Sequence, residues 1–266
     1  MNSKEKQMLS ILKELAETSG AVSVKAEFEA EGTRTEELLR LLEIARKADL
    51  GIALKIGGCE AIRDLIEAKQ FGVDYIIAPM VETAYALQKF IEAKNKVYDQ
   101  EEQEDVDFLV NIETITGFNN REHIAAQAST KGGIQGLVFG RVDYVGSCGL
   151  PRDSVDEPNI VEACRAVGGL CKDLDLDLVV GGGVSINAIG PLSEIRETHL
   201  SRFETRKIIF DANSLGTEGL KKGLLNAVHF ELLWLLNKRE YYNLITKEDD
   251  KRIEMLDSRW KLLNKN

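Results

Sequence analysis

Two carboxylate side chains, Glu113 and Asp143, stand near the ends of apolar segments and have the chemistry of metal ligands. Glu113 comes near the end of DFLVNIET (107–114), and Asp143 follows IQGLVFG (134–140). Carboxylate oxygens are hard ligands, and two of them, completed by waters and substrate oxygens, suit Mg²⁺ or Mn²⁺. A helix N-cap or a turn would explain either acid alone, but their joint placement favours a metal site.

Charged residues at two other apolar segments indicate how a substrate would be held. Lys55 lies near the end of GIALKIG (51–57) and could bind a substrate carboxylate. Glu27 and Glu29 close AVSVKAEFEA (21–30). Either glutamate could serve as a catalytic base if burial raises its pKa. The alternative is that both are outward-facing strand residues in a charged edge.

The elements that position these residues alternate between short β-rich runs and amphipathic helices. A helix near 35–48, for example, has the spacing i, i+3, i+4, i+7 in its leucines. Alternating strands and helices with apolar strands predict a parallel sheet covered by helices, and at this length a (β/α)8 TIM barrel of the α/β class. The seven strands that can be named are 21–30, 51–57, 73–80, 107–114, 134–140, 176–183 and 206–212; the eighth is not obvious.

In such a barrel the working residues lie at the carboxyl ends of the strands. Glu113 and Asp143 would then be neighbours in space, because they follow adjacent strands. The strand-end residues predicted to surround this pair are Glu27, Glu29, Lys55, 79–82, Gly140, Arg141, 181–183 and Asp211.

The two ends of the chain are predicted to be helical, and the whole of 1–266 is predicted to be a single domain. Residues 1–20 form a polar amphipathic helix, and 217–266 form a C-terminal helical segment. Within that segment, 220–238 is apolar nearly all round beyond Leu224, so it must be buried against the barrel or against a partner chain. The second possibility predicts a homo-oligomer.

The composition excludes several classes of function. With 44 acidic and 34 basic residues, the net charge of −10 argues against nucleic acid as the main partner. No apolar run approaches the roughly 20 residues of a membrane span, and the first residues lack the features of a signal peptide. The four cysteines have no Cys-x-x-Cys spacing, so neither zinc nor a disulfide framework is expected, and the cytoplasm is the predicted location.

Two further features have competing interpretations. Three glycines, 181–183, precede a predicted helix, and such a turn could bind the phosphate of a sugar phosphate or phosphoenolpyruvate; tight turns also need glycine for geometry alone. Lys207 could form a Schiff base, but strand alternation places it on the same barrel face as Ile209, where no pocket is evident.

Three segments resemble the HpcH/HpaI aldolase and citrate lyase β-subunit family. They are IALKIGGCEAIRDLIEAKQFGVDYIIAPMVETAYALQKF, LVNIETITGFNN and IQGLVFGRVDYVGSCGL, and the likeness covers roughly 21–185. The resemblance implies a barrel that forms or uses the enolate of pyruvate in carbon–carbon cleavage or aldol addition. It implies that Glu113 and Asp143 bind the divalent metal and that Lys55, where the family commonly has Arg, binds the substrate carboxylate. It also implies that backbone amides around Gly140 and Arg141 receive the 2-oxo acid.

The sequence departs from the family pattern at two places. The family usually has an acid followed by a catalytic His at the first strand end; here Glu27 matches the acid, but Phe28 occupies the His position. Arg141 stands where the family often has Pro, and a bulky cation would change the bound acid. The predicted function is therefore a metal-dependent lyase or aldolase acting on a small 2-oxo acid or a related acyl substrate, with Glu27 as the base. A non-catalytic barrel that retains the metal pocket is the remaining alternative.

Overall fold

The computed structural model describes residues 1–264 and contains a closed barrel of eight strands joined in chain order, which confirms the predicted α/β barrel. The strands are β1 (Ala21–Glu27), β2 (Gly51–Lys55), β3 (Tyr75–Ala78), β4 (Asp107–Ile112), β5 (Gly136–Gly140), β6 (Asp177–Gly181), β7 (Arg202–Glu204) and β8 (Ile208–Asp211). The α-helices are α1 (Ser3–Ser19), α2 (Thr35–Arg46), α3 (Ile62–Phe71), α4 (Ala84–Val97), α5 (Ile115–Asn119), α6 (Arg121–Ala128), α7 (Arg141–Ser147), α8 (Pro158–Asp173), α9 (Ile189–Thr198) and α10 (Leu220–Leu263).

The prediction that all strands are parallel is wrong for β8. Strands β1 to β7 pair in parallel, whereas β8 pairs antiparallel with both β7 and β1. The cause is the short connection 205–207, in which the Thr205 amide donates to the Ile208 carbonyl oxygen at 2.9 Å. Three residues can close a hairpin but cannot make the helical crossover that a parallel pair needs.

The reversal of β8 exchanges the residues found at the two ends of the barrel. We call the end that carries the carboxyl ends of β1 to β7 the mouth. Asp211, predicted to lie at the mouth, is instead at the opposite end, paired in register with Arg202 at the start of β7. Arg206 and Lys207, which precede β8, lie at the mouth in its place.

The barrel interior is apolar in its middle and charged towards the mouth. Side chains alternate between the two faces of a strand. Because Ala53, Leu109 and Ile209 point inward, Lys55, Glu113 and Lys207 point into the barrel as well. The inward-facing apolar layer comprises Ala53, Ile77, Leu109, Val138, Val179 and Ile209.

Helices α1 and α10 pack against each other along one side of the barrel, as the predicted helical ends require. They run antiparallel, since Glu14 pairs with Lys222 and Lys4 pairs with Glu240 at 2.6 Å. One face of α10 is buried, including Phe230 at 0% and Trp234 at 4% exposure. The opposite face is exposed, so the predicted burial of 220–238 applies to only half of its surface.

The structure also bears on the cysteines and on membrane-spanning helices. Among residues 1–264, all four cysteines are free thiols. No helix within those residues has both the length and the apolar character needed to cross a lipid bilayer.

Candidate active site

Ten charged side chains gather at the mouth, and we call them the mouth cluster. Four are cationic and six are carboxylates, which leaves an excess of two negative charges when all are ionised. They come from β1 and the loop after it, from β2, from the residue that follows β4, from the start of α7, and from β7 and the connection between β7 and β8. They are Lys25, Glu27, Glu29, Glu31, Lys55, Glu113, Asp143, Glu204, Arg206 and Lys207.

Glu113 is held rigidly just beyond the end of β4. Its Oε1 accepts from the Met80 amide at 2.9 Å, and its Oε2 accepts from Asn111 Nδ2 at 2.6 Å. The Lys55 ammonium lies 3.3 Å from Oε2. Asn111 is a residue that sequence reasoning missed, although its position two residues before Glu113 puts both side chains on the same inner face.

Asp143 lies in the first turn of α7, next to Glu113. Burial raises the pKa of the Asp143 carboxyl, and the negative charge of Glu113 raises it further. Gly140, the last residue of β5, allows this proximity, because a Cβ there would lie 2.7 Å from Glu113 Oε2. The structure therefore brings together the two acids that the sequence predicted to bind metal.

Lys55 lies between two carboxylates of the mouth cluster. Its Nζ is 3.3 Å from Glu113 and 3.5 Å from Glu29. Its backbone is in register with Glu27 of β1, so the predicted substrate-binding lysine and the predicted base stand side by side on adjacent strands.

Glu27 is ionised more readily than an ordinary glutamate, whereas its predicted role as a base was conditional on burial raising its pKa. Burial acts to raise the pKa, but the Lys25 ammonium at 3.4 Å and the Arg206 guanidinium at 3.6 Å outweigh it and hold the pKa of Glu27 below its usual range. Lys25 also contacts Glu204 at 2.5 Å. Sequence reasoning did not single out Lys25 or Glu204. Lys25 lies two residues before Glu27 on the same strand, so both side chains are on the inner face.

Lys207 is enclosed rather than free in a pocket. It is 2% exposed, and its Nζ contacts a carboxylate oxygen of Glu31. Burial lowers the pKa of Lys207, partly offset by the Glu31 carboxylate. The predicted shared face with Ile209 is confirmed, and nothing here favours a Schiff base.

The Arg141 side chain is fully buried at the junction of α7 and β6. Its Nε donates to the Gly181 carbonyl oxygen at 3.2 Å, and its Nη1 donates to Asp156 Oδ1 at 2.6 Å. These contacts fasten α7 to its surroundings. The backbone of Gly140 and Arg141 nevertheless remains beside Glu113, where the sequence predicted a 2-oxo acid would bind.

Two of the three glycines 181–183, Gly182 and Gly183, have a structural explanation. Gly182 has φ +83° and Gly183 has φ +70°, a region that other residues rarely adopt. A Cβ on Gly182 would also lie 2.6 Å from the Val142 backbone nitrogen. These constraints require glycine without any phosphate ligand.

The mouth cluster fits a divalent cation that keeps part of its water shell. Within residues 1–264, no three His, Cys, Asp or Glu side chains form a ready-made metal cage. Mg²⁺, however, is commonly held by one or two carboxylates together with waters and substrate oxygens. Near Glu113, the buried Asn111 Oδ1 has no hydrogen-bond donor, and Glu29 Oε2 has none apart from the ion-pair contact with the Lys55 ammonium at 3.5 Å. With all groups of the mouth cluster ionised, its two excess negative charges match the charge of such an ion.

Solved structures of similar fold include an HpcH/HpaI aldolase from Desulfitobacterium hafniense, with 14% identity, a TM-score of 0.60, and coverage of 77% of this chain and 83% of the other. An HpcH/HpaI aldolase/citrate lyase family protein from Burkholderia cenocepacia has 15% identity and a TM-score of 0.61, over 93% of this chain and 100% of the other. A variant of the citrate synthase SbnG has 15% identity and a TM-score of 0.57, over 74% and 81%. No curated protein sequence matches significantly.

A closed α/β barrel with paired carboxylates at its mouth places the chain in the class of TIM-like barrels. The model of the HpcH/HpaI aldolase/citrate lyase family matches residues 21–182, which is more than half of the chain. The chain therefore belongs to that family, and its membership supports a lyase or aldolase.

Proposed function

We propose that this chain is a divalent-metal-dependent carbon–carbon lyase or aldolase that acts on a small 2-oxo acid or a related acyl substrate. The observation that carries the proposal is the convergence of Glu113 and Asp143 in a mouth with two excess negative charges. These two carboxylates would hold Mg²⁺ or Mn²⁺. When bound there, the cation supplies a Lewis acid that stabilises negative charge developing on the keto oxygen.

The chain's own residues take the remaining roles. Lys55 binds and orients the substrate carboxylate, because its ammonium lies at the same inner face as Glu113, 3.3 Å away. The backbone of Gly140 and Arg141 receives the 2-oxo acid beside Glu113. Glu27 would accept the proton that the carbon next to the keto group loses when the enolate forms. Its lowered pKa keeps Glu27 ionised at neutral pH but makes it a weaker base than a carboxylate with a raised pKa.

Calorimetric titration of the metal-stripped protein with Mn²⁺, repeated with the enolate mimic oxalate, tests this function. The wild type should bind Mn²⁺, and oxalate should bind more tightly when Mn²⁺ is present. Glu113→Gln should weaken Mn²⁺ binding at least about tenfold, or about 1.4 kcal/mol. The matched control is Glu82→Gln, because Glu82 lies at the same end of the barrel but hydrogen-bonds Thr114 instead of joining the mouth cluster.

The outcomes separate the candidate functions. Equal Mn²⁺ affinity in Glu113→Gln and the wild type would remove the metal assignment. Metal binding with no effect of oxalate would point to a different substrate, with Phe28 and Arg141 as the first residues to exchange. Binding of both without turnover of any 2-oxo acid would favour a non-catalytic barrel that retains the pocket.

A further inference from the structure

Helix α10 carries large apolar side chains that its own chain does not cover. Thirteen of them are exposed within the described residues. Eight of the thirteen form what we call the heptad stripe: Leu225, Val228, Leu232, Leu235, Ile253, Leu256, Trp260 and Leu263. The other five are Tyr241, Leu244, Ile245, Met255 and Leu262. Exposed apolar residues in such number on one helix mark an interaction surface.

The spacing of the heptad stripe is that of a coiled coil. The first four residues are separated alternately by three and four positions, and the last four repeat this spacing four whole heptads farther along. All eight therefore occupy the a and d positions of one unbroken heptad frame. The same frame places Arg239, Tyr242, Thr246 and Asp249 at the a and d positions between the two apolar groups.

Only the first half of α10 packs against the rest of its own chain. There the helix buries its opposite face against α1, through residues such as Phe230 and Trp234. Every residue from 243 to 264 is exposed. A helical segment of this length standing alone in water is marginally stable and gains most of its stability from packing an amphipathic face, so the second half needs a partner helix.

The charges in the frame select the orientation of that partner. In a parallel, in-register pair of identical helices, Arg239 would face Arg239 and Asp249 would face Asp249. In an antiparallel pair that crosses at residue 244, Arg239 of each chain faces Asp249 of the other. The apolar residues then meet in four matched layers on each side of the crossing: Leu225 with Leu263, Val228 with Trp260, Leu232 with Leu256, and Leu235 with Ile253.

We propose that α10 pairs with α10 of a second copy of this chain as an antiparallel coiled coil centred on residue 244. The flanking charges agree at one place, where Glu231 lies beside Arg259 of the other chain. Lys238 lies beside Arg252, which is unfavourable, but Lys238 already pairs with Glu37 at 2.9 Å.

The shape of the molecule leaves room for this pairing. Tyr242 contacts Arg34, whose guanidinium lies 4.8 Å from the ring centre, in the loop that follows β1 at the mouth. The second half of α10 therefore extends past the mouth end of its own barrel. The first half of the partner helix, with its barrel attached, occupies the free space along that extension.

Sedimentation equilibrium of the full chain tests the pairing and its direction. The wild type should have about twice the chain mass of 29.6 kDa. Arg239→Asp and Asp249→Arg should each raise the dimer dissociation constant at least about tenfold, because like charges then meet. An equimolar mixture of the two variants should form a heterodimer with a dissociation constant within about threefold of the wild-type value, since each altered residue again faces an opposite charge.

The matched control is Lys247→Glu, a charge reversal on the same exposed helix but outside the a and d positions. It should leave the dissociation constant unchanged. A wild-type chain that is monomeric at tens of micromolar would overturn the proposal, including one that associates only with lipid vesicles. A dimer whose stability neither reversal lowers would overturn the antiparallel register, and circular dichroism of each variant verifies that α10 remains helical.

Discussion

Glu27 lies between several cationic residues of the mouth cluster. On one side it contacts Lys25 and Arg206, and on the other its backbone is in register with Lys55. Its lowered pKa means that the folded protein favours the ionised carboxylate more than the unfolded chain does. The ion pairs of Glu27 therefore stabilise the fold, in addition to any role in catalysis.

We expect Glu27→Gln to lower the free energy of unfolding at pH 7 by about 1–3 kcal/mol, the cost of leaving buried partners without their acceptor. A carboxyl whose folded pKa is depressed contributes stability above its unfolded pKa of about 4.3 and loses it as pH falls through the folded pKa. The wild type should therefore lose more stability than the variant between about pH 5 and pH 3. Urea denaturation across this range measures the difference.

The control for this prediction is Glu122→Gln, because Glu122 is exposed on α6. It should leave the wild-type pH dependence unchanged. A gap between wild type and Glu27→Gln that stays constant from pH 7 to pH 3 would contradict the assigned ion pairs.

Among individual site residues, the sequence predicted those at the strand ends better than those two positions earlier on the same strand. The proximity of Glu113 and Asp143 followed from their positions after adjacent strands. Asn111 and Lys25 lie two residues before a predicted site residue, and alternation alone would have placed them on the inner face. The contact of Lys25 with Glu204 and that of Glu27 with Arg206, by contrast, depend on the β7–β8 hairpin, which the sequence did not reveal.

The turn after β6 shows how an element fixes the position of its neighbour. The backbone of Gly182 lies close to the first backbone amides of α7, the helix that carries Asp143. Gly182→Ala should lower the free energy of unfolding by more than about 1 kcal/mol, because alanine is strained at φ +83° and its Cβ would meet the Val142 nitrogen. Thermal or chemical denaturation measures this loss.

Gly146, within α7 itself, provides the matched control. Its added Cβ would meet nothing within 4 Å. Gly146→Ala should therefore be neutral or stabilise by about 0.5–1 kcal/mol, because alanine has the higher helix propensity. Equal destabilisation by the two substitutions would show that the close approach of Gly182 is unimportant.

The strands differ in how far the sequence could predict them. Strands β1 to β6 have apolar runs bounded by turns, and each was assigned from that pattern. Strand β7 has three residues, Arg202, Phe203 and Glu204, of which only one is apolar. Strand β8 was assigned, but its direction was wrong, because direction depends on the length of the β7–β8 connection and that could not be judged while β7 was unknown.

For the whole molecule, the exposed second half of α10 should be dispensable for the barrel. A chain that ends at Thr246 keeps the packing of α10 against α1 and the hydrogen bond from Tyr242 to Glu37 of α2. At concentrations low enough to keep both chains monomeric, its free energy of unfolding should be within about 0.5 kcal/mol of the full chain. Chemical denaturation at these concentrations provides the measurement.

The same truncation should abolish dimers at higher concentrations, where association stabilises the full chain by mass action. A loss of more than about 2 kcal/mol in the monomeric truncated chain would mean that residues 247–264 support the barrel directly. The single domain of 266 residues, the homo-oligomer and the cytoplasmic location stay predictions.

The position of β8 as the strand that closes the barrel also affects how the protein is made. Because β8 pairs with both β7 and β1, the sheet stays open until Asp211 has left the ribosome. The growing chain meanwhile presents two unpaired strand edges, at β1 and at β7, and such edges invite pairing with other nascent chains. Barrel closure joins residues almost 190 positions apart, for example Ala21 and Phe210, so it is a late and slow event during biosynthesis. Expression at lower temperature or with a holding chaperone should reduce association of the incomplete barrels before β8 closes the sheet.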